Sequence, residues 1–172
     1  MENKVMTSTN KGLIIGLILV VLSVTTTLLV TDIEKQQSFG WISYLIMIGC
    51  AVWACISYAK DMDGNVSFGN VFSHGFKTTA VFTIILVVYT ALAFTVIFPE
   101  LKDKMLEVTR AQMEKDGKLS SAEIDRALSM SSKFFLPFAI AGLLIFSLIL
   151  GAIGSLIGAA VAKKNPNPTP FQ

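Results

Sequence analysis

Long apolar segments separated by polar stretches run through the chain. Four of them contain no charged residue, and each is long enough to cross a bilayer, which requires roughly 20 helical residues; they cover residues 12–30, 40–59, 78–98 and 134–162. A helix satisfies its own backbone hydrogen bonds in lipid, whereas an isolated strand does not. The pattern therefore predicts an all-α polytopic membrane protein, with four transmembrane helices in one bundle and residues 1–172 forming a single membrane domain.

The first apolar segment has one property of a signal peptide, because Lys4 and Lys11 precede it. Its apolar core is longer than the roughly 7–15 residues of a typical signal peptide, and no small-residue cleavage site follows it. We therefore expect this segment to stay attached as the first span.

The polar linker after the second segment contains an amphipathic stretch. Phenylalanines recur at helical spacing at Phe68, Phe72 and Phe76, with His74 and Lys77 on the other side. This spacing predicts a short interfacial helix over residues 67–77 that lies in the headgroup region. His74 is the only histidine and has no carboxylate beside it on that face, so we interpret it as an interfacial polar residue rather than a metal ligand or proton-transfer group.

Residues 99–133 form the longest charged stretch and predict an extramembrane helical hairpin. Pro99 can start its first helix, Gly117 can end it in a left-handed conformation, and Ser120 with Glu123 matches a capping box for the second helix. The sequence around Gly117 also resembles the second half of a calcium-binding loop. Gln112 stands where that loop requires its first aspartate, however, so we do not expect calcium to bind.

Small residues recur every three or four positions in the first and last spans. Such strips let helix backbones approach closely in lipid, and we expect them to pack the first span against the fourth, although packing against another protein stays open. The predicted helix-packing residues are Gly12, Gly16, Ser147, Gly151, Gly154, Ser155 and Gly158.

Composition agrees with a membrane protein and narrows its chemistry. Of 172 residues, 53% are hydrophobic and only 15% are charged, against about 25% charged in soluble domains. The net charge of +2 is too small to indicate a nucleic-acid partner. Cys50 and Cys55 lie within the second span and are interpreted as packing residues. No pattern indicates a catalytic centre or a cofactor site, so we expect no enzyme activity, no cofactor and no metal.

The distribution of lysines predicts the orientation. Two lysines precede the first span and one, Lys35, follows it, which favours an N-terminus in the cytoplasm. An even number of spans then places the C-terminus there too, beside Lys163 and Lys164. The seven basic residues of the hairpin oppose this orientation.

Residues 165–172 are polar and rich in proline, which predicts a disordered tail.

Several segments together resemble a known family. They are GLIIGLIL at the first span, GNVSFGNVFSHGF in the linker, FPEL at the end of the third span, Pro137 before the fourth, and a glycine-rich last span that ends in two lysines. This arrangement is similar to the bacterial four-span membrane proteins of the domain of unknown function 4199, from about residue 11 to residue 164. The resemblance implies an integral protein of the bacterial inner membrane and supplies no activity.

Two functional hypotheses follow from the sequence. The first is a non-enzymatic structural or accessory protein of the bilayer. It associates through helix packing and its hairpin, either in a homo-oligomer or with a membrane partner protein. The alternative is a small oligomeric transporter or channel that passes a solute along the hydroxyl groups of the spans, such as Thr90.

Overall fold

The computed structural model describes residues 5–30 and 33–165. Every regular element in these residues is helical, which confirms the predicted all-α class. The helices are α1 (Ser8–Leu29), α2 (Ile33–Asp61), α3 (Phe68–Leu92), α4 (Glu100–Asp116), α5 (Ser121–Lys133) and α6 (Phe135–Val161), with a π-helical turn over Ala93–Ile97. The predicted disordered tail covers residues 165–172, and all of it after Asn165 lies outside the described residues.

Four of these helices are long and apolar enough to cross a membrane. They are Ser8–Leu29, Trp41–Asp61, Phe68–Ile97 and Phe135–Val161. Large hydrophobic side chains such as Leu17, Val21, Ile84 and Ile145 are more than half exposed on them, as expected of side chains that face lipid instead of water. The protein is therefore a multi-pass membrane protein.

The helices α1 and α3 begin earlier than the apolar segments indicate, because each has a polar cap. The hydroxyl of Thr7 accepts a hydrogen bond from the Asn10 amide at 3.2 Å, and the hydroxyl of Ser67 accepts one from the Asn70 amide at the same distance. Each cap satisfies one of the orphan amides of a first helical turn. Lys11 therefore lies within the first span and not before it.

The prediction of a separate interfacial helix over residues 67–77 is wrong, because α3 is continuous from Phe68 through this stretch into the third span. Val71 is fully buried, and the space where a Cβ of Gly75 would lie is occupied by Cys55 of α2 and Ser155 of α6. Contacts with two other spans thus hold the first turns of α3 inside the protein.

The end of α3 is shaped by Pro99. Phe98 donates its amide to the carbonyl of Ala93 at 2.8 Å, which closes a wide π-helical turn, and its φ of −138° and ψ of 59° leave the helical region. Proline disfavours a helical conformation at the residue before it. The chain then turns sharply, and α4 starts at Glu100.

The four spans are arranged around α3. It lies against α1, α2 and α6, and α6 also packs along α2, whereas α1 and α6 make at most marginal contact among the described residues. The expectation that the first and fourth spans pack together is therefore wrong. Their strips of small residues do contact neighbouring helices, but the neighbours are α2 and α3.

The hairpin consists of α4 and α5, joined by a tight turn. Gly117 ends α4 with a φ of 62°, a left-handed conformation that favours glycine. The Ser120 side chain accepts a hydrogen bond from the Glu123 amide, and the Glu123 carboxylate accepts one from the Ser120 amide, so the predicted capping box is confirmed. Helix α5 packs on α4 and makes at most marginal contact with the described parts of the spans.

Candidate functional site

The most unusual side chain in the spans is Lys11, which is 1% exposed. Its ammonium group donates hydrogen bonds to the Ser57 hydroxyl at 2.7 Å and to the Asp61 carboxylate at 3.2 Å. It also lies 5.9 Å from the centre of the Trp53 ring, within the range of a cation–π interaction. A buried charge is tolerated only with such partners, so these contacts bind the start of α1 to the end of α2.

Sequence reasoning missed this ion pair because both of its charges lie just outside the apolar segments. Lys11 precedes the first segment by one residue, and Asp61 follows the end of the second. The signal that would have revealed it is the run Thr7–Ser8–Thr9–Asn10, whose first residue caps a helix that already contains Lys11. The spans thus contain charged groups, contrary to the expectation.

His74 lies beside this cluster on α3. Its ring stacks on Tyr58 with 4.1 Å between centroids and 11° between planes. Its Nε2 is buried and has no hydrogen-bond partner in the described part of the chain. The two rings open on a shallow cavity of about 190 Å³, which is also lined by Ser8, Asn70, Ser73 and Lys77. Within residues 5–30 and 33–165, no three potential ligands from His, Cys, Asp and Glu lie together.

The three phenylalanines of the predicted interfacial group lie on the same part of α3 and have separate roles. Phe72 packs against the apolar cluster around Cys55 and Val71 and stacks on Phe76, with their centroids 5.9 Å apart. Phe68 is 45% exposed and lies under the Lys164 ammonium, 5.4 Å from its ring centre.

Glycine and serine positions on α1 and α6 mark where the helices approach most closely. A Cβ on Gly12 would lie 2.6 Å from Val81, and one on Gly16 would meet Ile85, so both glycines face α3. On α6, a Cβ on Gly151 would overlap Thr79 of α3. The remaining predicted positions, Ser147, Gly154, Ser155 and Gly158, are buried, and Gly154 and Gly158 face α2.

The thiol of Cys55 lies where α2, α3 and α6 meet. It is fully buried and within 3.4 Å of the Val71 carbonyl, which it can reach as a donor. Both cysteines are free thiols. The interpretation of Cys55 as a packing residue is confirmed.

A second cavity, of about 300 Å³, lies between α1, α2, α3 and α6 near the opposite ends of these helices. Its lining surface is mostly apolar, and its polar part comes from side chains with hydroxyl groups, namely Ser23, Thr26, Thr27, Ser43, Tyr44, Tyr89 and Thr90. The Thr26 hydroxyl also donates back to the Leu22 carbonyl at 2.9 Å, as expected of threonine in a span. Among the side chains that the structure describes, no charged one lines this cavity, so its lining suits a neutral solute with both polar and apolar groups.

The hairpin is held in shape by its own polar contacts. Arg110 of α4 forms an ion pair with Asp125 of α5 and a second, longer one with Glu114 on its own helix. The hydrogen bonds from Ser120 lower the pKa of Glu123 below its ordinary value. Ile124 is 2% exposed and is the one buried side chain of α5.

Comparison with known proteins places the chain in a family without assigning an activity. No curated protein and no solved structure matches it. The family described as Protein of unknown function (DUF4199) matches residues 10–164, a segment that includes the hairpin and all four spans apart from the first two residues of α1. The chain belongs to this family of proteins of unknown function.

Proposed function

We propose that the protein is a non-enzymatic accessory component of a membrane assembly, and that a partner protein docks on its hairpin. The spans hold the chain in the bilayer, while α4 and α5 present a folded surface outside it. We further propose that the membrane is the inner membrane of a bacterium, with both termini in the cytoplasm and the hairpin on the opposite side.

The observation that carries this proposal is the exposed and internally braced hairpin. Helix α4 has 17 residues, none of them buried, and a helix of that length extends about 25 Å. The ion pair between Arg110 and Asp125 joins the two helices, the capping box fixes the start of α5, and α4 also contacts α2 and the π-helical turn. A surface that is already ordered loses little conformational entropy on binding. At its tip, Leu119 is 43% exposed and offers an apolar anchor.

A non-enzymatic role is favoured by how one pair of charged side chains in the spans is used. Lys11 and Asp61 pair with each other, and Ser57 takes a further hydrogen bond from the lysine. These groups therefore join helices instead of presenting a reactive atom to a substrate.

The orientation is supported by where the lysines lie. Contacts between Lys11 and Asp61 and between Gly64 and Asn165 bring together the start of α1 and the ends of α2 and α6. This end of the protein carries the lysines at positions 11, 60, 77, 163 and 164. Basic residues near span ends favour the cytoplasmic side, and these five lysines are opposed by the seven basic residues of the hairpin at the other end.

Co-purification from native membranes tests the docking role. The tagged full-length protein is compared with a version that lacks residues 102–133, and thermal unfolding of both in detergent establishes that the spans still fold. We expect one stoichiometric partner with the intact chain and none with the deletion. A partner that stays after the deletion, or no partner with either version, would contradict docking through the hairpin.

Transport is a second candidate function, and the hydroxyl-lined cavity favours it. Thr90 lines that cavity, whereas Thr95 lies outside it and donates its hydroxyl to the Ala91 carbonyl at 2.7 Å. In reconstituted vesicles, a transporter of neutral polar solutes should lose flux in Thr90→Val and keep it in the matched control Thr95→Val. Equal flux in both variants and in empty vesicles would exclude this role for the cavity.

A further inference from the structure

The ends of α2 and α6 meet in a tightly held corner. After α2, the turn at residues 62–65 brings Gly64 to a φ of 74°, and its carbonyl accepts a hydrogen bond from the Asn165 amide at 2.8 Å. A Cβ at position 64 would lie only 2.9 Å from that amide nitrogen. The two backbones therefore touch, and the side chains on both elements are brought to one place.

Between these elements lies a cavity of about 630 Å³ with a cationic rim. Among the residues that the structure describes, three lysines line it, Lys60 from α2 and Lys163 and Lys164 from the segment after α6, and Asp63 is the one carboxylate. Three ammonium groups against one carboxylate give the rim a net charge of +2. Such a site attracts an anion.

Two of the three ammonium groups are available for a ligand. The Lys164 ammonium is engaged, because it donates to the Ala159 carbonyl at 2.6 Å and lies over the Phe68 ring. In the part of the chain that the structure describes, Lys60 and Lys163 have no ion pair, although Asp63 is nearby. Their charges are therefore free to bind a phosphate group.

The apolar walls of the cavity distinguish a lipid from a free anion. Ile56 on α2 and Val161 on α6 line the same cavity, and they are 42% and 59% exposed on faces of two membrane spans. A small anion would leave these side chains uncovered, whereas acyl chains would cover them. Basic pockets between spans at a membrane surface are typical sites for anionic lipid headgroups.

We propose that this corner binds an anionic phospholipid, with the headgroup phosphate between Lys60 and Lys163 and the acyl chains along Ile56 and Val161. The site is independent of the hairpin, which lies at the other ends of the spans. It would tie the C-terminal end of α6 to the membrane surface.

Native mass spectrometry of the full-length protein in detergent tests the proposal, with phosphatidylglycerol and phosphatidylcholine as probes. We expect phosphatidylglycerol to bind at least tenfold more tightly. The double variant Lys60→Gln/Lys163→Gln should lower phosphatidylglycerol affinity by about thirtyfold, since each lysine near a headgroup contributes about one factor of five. The control Lys102→Gln/Lys118→Gln, which removes two lysines from the hairpin, should leave the affinity unchanged.

Three results would overturn the site. One is equal binding of the two lipids, and another is an equal loss of affinity in the double variant and the control. The third is that inorganic phosphate at millimolar concentration displaces the phosphatidylglycerol, which would identify a site for a free anion. Thermal unfolding of both variants without lipid verifies that each is folded, and Lys60→Arg, which keeps the charge, should retain binding.

Discussion

The Lys11 ammonium lies 3.2 Å from the Asp61 carboxylate and joins the first turn of α1 to the last turn of α2. The two partners are unequal, because the Lys11 side chain is 1% exposed and that of Asp61 is 35% exposed. Asp61 therefore keeps part of its hydration, whereas Lys11 depends on the protein for all of its polar contacts. Charged side chains within spans are rare and are paired when they occur.

This asymmetry predicts unequal costs for removing the two partners. Lys11→Met keeps the volume of the side chain and should lower the free energy of unfolding by about 1 kcal/mol or less. Asp61→Ala leaves a buried ammonium group without its carboxylate partner and should lower the free energy of unfolding by about 2–3 kcal/mol. Unfolding by sodium dodecyl sulfate in mixed micelles measures both. The double variant should be more stable than Asp61→Ala alone, and strictly additive losses would show that the pair is not coupled.

Close helix packing predicts a sharp difference between two glycines of α6. A Cβ on Gly154 would lie 2.8 Å from both the Ala51 side chain and the Ile48 carbonyl of α2, while one on Gly142 would meet nothing within 4 Å. Because a backbone carbonyl cannot move aside, Gly154→Ala should destabilise the protein by about 1–3 kcal/mol. Gly142→Ala is the matched control on the same helix and should unfold at or slightly above the wild-type temperature, because alanine has the higher helix propensity. Similar melting temperatures for both variants would contradict the packing of α6 on α2.

The capping box predicts a pH dependence at the start of α5. Hydrogen bonds from Ser120 lower the pKa of Glu123, so the carboxylate stabilises the folded hairpin at pH values above its unfolded pKa, and this stabilisation is lost as the pH falls through the lowered pKa. Amide hydrogen exchange at residues 121–124 should therefore reveal an additional local opening of the helix at acidic pH. Glu123→Gln, which keeps an acceptor but cannot titrate, should remove that pH dependence. An unchanged profile in the variant would assign the opening to another group.

Much of the fold follows from composition and periodicity, because lipid imposes a simple rule on which residues can form a span. That rule predicted the four spans, and the residue preferences of helix ends predicted the end of α4 at Gly117 and the capping box of α5. It could not identify which helix each strip of small residues contacts, since Gly12 and Gly154 have the same local signature but face α3 and α2. Nor could it find the pairing of Lys11 with Asp61, which depends on two helix ends far apart in sequence meeting in space.

The orientation can be tested with single introduced cysteines. Both native cysteines lie inside α2, so a membrane-impermeant maleimide on intact cells should report the new positions. We expect Lys118→Cys, at the tip of the hairpin, to be labelled from outside the cell, and Asp63→Cys to be labelled only after the membrane is opened. The reverse pattern would place the termini outside and the hairpin in the cytoplasm.

Site-specific photocrosslinking in intact cells can show directly whether a partner protein docks on the hairpin. A photoreactive amino acid replaces Leu119 at the tip of the hairpin or, as a control, Ile145 on α6, which is 58% exposed. We expect one discrete protein adduct from position 119 and none of that size from position 145. The same adduct from both positions, or none from position 119, would contradict docking on the hairpin.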